Sequence, residues 1–335
     1  MVGAFAVACI GPLRRIALKG KKSPVRLLAW SNAFLVAGLI GIYLISWGVT
    51  FPQHLKEGFW SAVVIATFLN YGISYCGAKA LTYEQGEVTL VAPLAAMTPG
   101  LLTLMAVTLG ELPGSRGIVG LCFLSVSSWI LLTQNAKTWR DYFRPFAQLR
   151  LLLSYRTLAE QGKQRTIVVG LALATAALGS LSMLFVGLYV RRGGDLQGLW
   201  LAVIVLWSSL TLAFFIQHRL EGKTGDRSEW RGDEKKFFLV AVLGAVMIIT
   251  ATYVEIPIFG KTFIAYVGTL NRVGILFSVL LVWGLSKIGK LKAIFGEQDL
   301  HKRALAVTLV VIGVLLISSE NIPERLTNKL ILFGI

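Results

Sequence analysis

Apolar residues run along this chain in long blocks separated by short polar connections. The block 88–110 runs 23 residues without a charge, and 166–190 runs 25. A helix needs about 20 residues to cross the hydrocarbon of a bilayer, and core helices of soluble proteins seldom sustain such runs. Marking every block gives ten predicted spans, at 1–18, 27–48, 59–79, 88–110, 117–135, 166–190, 197–217, 237–254, 262–286 and 304–319. The pattern predicts an all-α integral membrane protein. A β-barrel is excluded, because barrel strands alternate in short segments.

The first span is the weakest of the ten. Only 13 residues precede Arg14, so Arg14 and Arg15 must lie within the helix or snorkel to its end. A segment upstream of Met1, or a cleaved signal peptide, are the other readings of this start, although no basic leader or A-x-A site is present. The stretch 136–165 is basic and aromatic. Trp139, Tyr142, Phe143, Phe146 and Leu149 recur three and four apart, as in a helix lying on the membrane surface, with Arg140, Arg144 and Arg150 toward headgroups. A solvated linker fits it equally well. The stretch 219–236 has mixed charge and reads as an exposed loop.

Composition changes the picture little. Of 335 residues, 55% are apolar and 15% charged, with mean hydropathy +0.70. The net charge of +16 reflects loop residues that set orientation, so no nucleic-acid partner is expected. Cys9, Cys76 and Cys122 all fall in apolar spans without metal-ligand spacing. Connections after the odd-numbered spans hold 24 Lys and Arg, with Arg14 and Arg15 counted in the first, against 5 after the even-numbered spans. The odd connections are therefore predicted to face the cytoplasm, which puts both termini outside.

The halves match piece by piece. GELPGSRGIVG follows the fourth span; Gly120 and Ser127 lie nine and sixteen positions after Glu111, as Ala306 and Gly313 do after Glu297. Small residues seven apart share a helix face and let neighbouring helices approach. Five spans per half is an odd number, so the halves must be inverted about an axis in the membrane plane. The predicted organisation is a first five-helix repeat at 1–135, a basic amphipathic connector at 136–165, a second repeat at 166–320 and a tail at 321–335.

AKALTYEQGEVTLVAPLAAMTPGLL with GELPGSRGIVG at 78–120, TLNRVGILFSVLLVWG at 269–284 and TLVVIGVLLIS at 308–318 resemble the drug/metabolite transporter superfamily, EamA-like branch. The resemblance covers essentially the whole chain, through degenerate motifs. It implies ten transmembrane helices in two inverted repeats, a multi-pass protein of the cell inner (plasma) membrane, and a central cavity for a small metabolite. It also implies cytoplasmic termini, opposite to the charge count.

Candidate functional residues follow from polarity inside apolar spans. Arg272 lies mid-span, where a cation costs a few kcal/mol at least about. Thr262, Tyr266, Thr269 and Arg272 share one stripe, with Asn271 beside it and Gly274 on another face. Arg272 would hold an anionic or hydrogen-bonding substrate through its fork of donors, or else bind backbone carbonyls of a broken neighbour. A basic residue here is also what part of the resembled family has. Asn70, Tyr71, Ser74 and Tyr75 form a second polar stripe, as substrate contacts or as helix packing with local hydroxyl bonds. Thr250, Thr252 and Tyr253 are their repeat counterparts. Lys79 and Glu255 close the third and eighth spans as gate or coupling candidates, against plain interfacial placement. Pro93 and Pro99 free backbone carbonyls and kink the fourth span.

His54, His218 and His301 sit at span ends or in loops, and every Asp is in a loop, so Glu255 is the one carboxylate near the membrane interior. Proton coupling would fall to it; otherwise the protein works by uniport or exchange. No G-x-S-x-G, H-E-x-x-H or Walker loop is present, so neither catalysis, nor a cofactor, nor a metal is expected. The sequence reads as a secondary transporter or exporter of a small polar metabolite. A non-transporting scaffold or lipid-handling accessory subunit is the alternative, and an enzyme of lipid-linked substrates a further rival. Expected partners are the lipid bilayer and a small-molecule substrate, with a homodimer as an option.

Overall fold

The computed structural model describes residues 2–19, 23–53, 55, 57–83, 114–132, 160–193, 196–221 and 234–259. It also describes 277, 280–281, 283–285, 287, 305, 308–309, 312–313 and 316. Seven helices are complete among them: α1 (Val2–Leu18), α2 (Val25–Trp47), α3 (Phe59–Ala80), α4 (Ser115–Leu132), α5 (Glu160–Gly193), α6 (Leu196–Glu221) and α7 (Glu234–Phe259). The described residues contain no strand. These are the first, second, third, fifth, sixth, seventh and eighth predicted spans. The fourth span, with Pro93 and Pro99, lies outside the described residues.

Among the described residues, four helices are long and apolar enough to cross a membrane: Val25–Trp47, Phe59–Ala80, Leu196–Glu221 and Glu234–Val254. They are apolar on nearly every side. Ile45, Phe68, Leu212 and Leu239 point away from the protein, as expected where the surrounding solvent is lipid. The chain is a multi-pass helical membrane protein.

Helix ends differ from the apolar pattern in an ordered way. α5 begins at Glu160, inside the stretch read as a connector, and runs 34 residues. At 1.5 Å per residue it is about 51 Å long and must project beyond the bilayer. The polar residues Glu160, Gln161, Lys163 and Gln164 are good helix formers. Hydropathy ends a span where lipid ends, but the helix continues. α6 likewise continues to Glu221 and α7 starts at Glu234, so both enter the 219–236 stretch. Between α2 and α3 the chain turns at Gly48 and Gly58, whose positive φ of 65° and 75° suits glycine.

α3 lies antiparallel to α5, and α2 antiparallel to α6; α2 runs parallel to α7, and α1 packs on α7. Close approach depends on glycine. A Cβ at Gly72 would sit 2.8 Å from Leu178 Cδ1 on α5, and one at Gly38 would strike the Ile249 side chain on α7. Leu28, Leu35 and Leu39 on α2 are fully buried with Leu210 and Phe214 on α6 and Phe237 on α7.

The two ends of this bundle have different chemistry. At one end Trp30 packs edge-on against Phe215 and Phe238, and the Arg26 guanidinium lies 4.9 Å over the Phe237 ring. At the other end Gln197 Nε2 donates to Tyr43 Oη and Thr50 O, each at 3.0 Å, and Trp47, Trp200 and Tyr253 form a chain of rings. Tryptophan and tyrosine at both rims match the aromatic belts of membrane proteins.

Candidate functional site

α3 carries the polar stripe that the sequence singled out, and the structure gives it partners on two other helices. Asn70 Nδ2 donates to Ala66 O at 2.8 Å and to Ser182 Oγ on α5 at 2.7 Å. Tyr71 Oη donates to Gln217 Oε1 on α6 at 2.6 Å. Gln217 Nε2 donates in turn to Glu221 Oε1 at 2.8 Å, and Ser23 Oγ donates to Glu221 Oε2 at 2.6 Å. One hydrogen-bonded track therefore runs from the interior of α3, through the last turn of α6, to the residues before α2. Tyr71 stands nine residues before the end of α3, about 13 Å along the helix axis.

Aromatic faces flank the track. Tyr71 stacks on Phe214 at 4.8 Å and lies parallel to Tyr75 at 6.4 Å. Ser74 is buried between them in sequence. Hydroxyl, amide and carboxylate groups thus meet π faces in an apolar bundle. Such a site can hydrogen-bond one part of a ligand while stacking against another. Chains of this kind also polarise their members and strengthen the terminal bond.

Gln217 and Glu221 were not singled out from the sequence. The apolar span ended at 217, and Glu221 read as loop. Spacing held the signal: Leu206, Leu210 and Phe214 are buried at steps of four, and Gln217 and Glu221, themselves four apart, continue that face.

The other sequence candidates are dispersed. Lys79 sits at the end of α3 with its ammonium 5.7 Å from the Tyr83 ring centre, within cation–π range. Tyr253 lies at the opposite rim, 60% exposed, with its ring 6.1 Å from Trp200, away from Tyr71 and Tyr75. Glu255 falls within α7, which continues past it to Phe259. Tyr266, Thr269, Asn271 and Arg272 lie outside the described residues.

Two further polar residues lie in the interior. Arg15 is 1% exposed, and its Nη1 donates to Leu81 O at 2.7 Å and Tyr83 O at 2.6 Å. It therefore lies within the protein rather than snorkelling, and it holds the Leu81 carbonyl at the C-cap of α3 and the Tyr83 carbonyl just beyond it. Asn32 on α2 is 0% exposed, and neither of its amide heteroatoms has a hydrogen-bond partner among the described residues.

No protein-family model and no curated protein matches this sequence. A solved crystal structure of a protein is similar over 94% of this chain and 94% of its own, with a TM-score of 0.62 at 18% identity. That likeness establishes a shared fold.

Proposed function

We propose that the protein is a secondary carrier or exporter of a small polar metabolite, built as two inverted five-helix repeats of the EamA-like kind. Support comes first from how the helices pair. Exchange the halves, so that α1, α2 and α3 take the places of α5, α6 and α7. The pairing of α3 with α5 becomes that of α7 with α1; α2 with α7 becomes α6 with α3; and α2 with α6 is its own image. A packing pattern that maps onto itself in this way is what an in-plane two-fold axis requires, and alternating access uses such an axis.

The Tyr71–Gln217–Glu221 track supplies a polar surface between the halves, and it is the observation that carries the reading. On this reading Tyr71 and Tyr75 offer ring faces and hydroxyls to the substrate, and Gln217 and Glu221 set its polar selectivity. Arg272 and its neighbours would face the same space from the ninth span. Transport would proceed without a catalytic step or cofactor. The polytopic fold suits the inner (plasma) membrane, with the basic end cytoplasmic.

A scaffold or accessory role has one observation in its favour: each member of the track already has a partner inside the protein, as a dry interface would. Thermal stabilisation of purified protein separates the two. Amino acids, sugars, organic acids, nucleotides and organic cations are screened at millimolar concentration beside Gln217→Leu. A ligand that raises Tm in the parent but not in the variant supports the carrier, because a ligand specific to the native state must stabilise it. Absence of any shift, with no uptake into liposomes, would favour the scaffold.

A further inference from the structure

Arg15 closes one end of the molecule in a way that the proposed substrate track does not use. It comes from the last turn of α1, and α1 packs on α7 rather than on α3. Its guanidinium nevertheless reaches the end of α3, where Nη1 bridges Leu81 O and Tyr83 O. Leu81 is the C-cap of α3, where the helix terminus carries partial negative charge and lacks intrahelical donors, and Tyr83 lies two residues beyond it. Leu81 and Thr82 are 5% exposed, and Thr82 Oγ1 is itself turned back to Lys79 O at 2.8 Å. One side chain thus ties two helix ends together through backbone atoms, at the same rim where Ser23 meets Glu221.

We propose that Arg15 is a latch whose bond to Leu81 and Tyr83 holds this rim shut, and whose release opens it. The inference rests on the carrier reading, and it names the regulation of access to that site. Water replaces the guanidinium at the two carbonyls when the rim opens, so the latch exchanges protein hydrogen bonds for hydration and can work reversibly. At the opposite rim Gln197 Nε2 donates to Thr50 O and Thr50 Oγ1, and alternating access closes that rim as this one opens.

The test reads opening directly and needs no substrate. Cys9, Cys76 and Cys122 are replaced by Ala, Thr82→Cys is introduced, and labelling by a soluble maleimide is followed on purified protein. Arg15→Gln is expected to raise the labelling rate about tenfold, as a shift in a two-state population does. Arg15→Lys, which keeps the charge but loses the fork, should fall between. In a parallel preparation with Thr50→Cys at the opposite rim in place of Thr82→Cys, Arg15→Gln should lower the labelling rate, because both rims share one equilibrium. A static clamp would leave Thr50→Cys unchanged. An unchanged rate at Thr82→Cys in Arg15→Gln overturns the latch, as does a rise there that leaves Thr50→Cys unmoved. Should Arg15→Gln fail to fold, the comparison is made with Arg15→Lys, where an unchanged rate overturns the proposal equally. Ligand stabilisation in the same preparations reports on the carrier reading separately.

Discussion

Tyr71 and Asn32 are both polar residues inside apolar helices, with opposite consequences. Tyr71 has a short bond to Gln217 and a ring face against Phe214. Removing its hydroxyl leaves Gln217 Oε1 without that donor, so Tyr71→Phe should cost about 1 kcal/mol while leaving the ring stack in place. The loss is read as a lower Tm of the purified protein, and Gln217→Leu combined with it should cost less than the sum of the two changes. Asn32 has no hydrogen-bond partner to lose among the described residues. A buried amide without hydrogen bonds costs about 1–3 kcal/mol, so Asn32→Leu, which is close in volume, should raise Tm. A fall would mean that the amide is engaged in another state of the molecule. Sequence reading found Tyr71 because hydroxyl-bearing rings cluster on α3. It passed over Asn32, since one amide in a span has no spacing to betray it. Arginine showed the same limit. Carbonyl capping was weighed for Arg272, yet the residue that caps carbonyls here is Arg15, because which helix end lies within reach is decided by packing alone.

At the scale of elements, hydropathy located the described helices well and their ends less well. α2 and α3 agree with their predicted spans to within about two residues, because a glycine with positive φ stops one and starts the other. α5 and α6 outrun theirs, because their final turns leave the lipid without leaving the helix. That overrun carried Glu221 into the site and kept it out of the sequence reading. Contacts between elements depend on small residues that hydropathy cannot weigh. Gly38 against Ile249 and Gly72 against Leu178 leave no room for a branched side chain. Gly38→Val should separate α2 from α7 and lower Tm by several degrees. Gly72→Ala should be milder, since it adds a single Cβ that meets Leu178 Cδ1 at 2.8 Å, a looser approach than at Gly38. Parallel melting curves of the two variants check the ranking, and equal losses would refute it.

For the whole molecule, charge and geometry divide the connections alike. Bonds join Ser23 to Glu221 and Arg15 to Tyr83 at one rim, and Gln197 to Thr50 at the other. The connections after the first, third and seventh spans thus share an end, as the odd-numbered assignment requires. A single cysteine within 222–233 should be labelled only from the cytoplasmic side, and one at Gln53 only from outside, in oriented vesicles. Labelling in the reverse sense would favour the cytoplasmic termini that the family resemblance implies. Which loops lie together was legible from the sequence, because lysine and arginine counts are a one-dimensional property. Which helices meet across the halves was not, because it depends on side-chain shape along whole faces.

The rings at the two rims have one more consequence. Trp30 and Trp47 lie on the same helix seventeen residues apart, about 25 Å along its axis. A typical hydrocarbon core is about 30 Å thick. With its belts that close together, the protein sits most comfortably in a thin bilayer, and a thicker one must pinch inward around it or force the helices upright. Lipid chain length then becomes a control on the protein: in vesicles of defined composition, its thermal stability should be highest in short-chain phosphatidylcholine and should decline as the acyl chains lengthen.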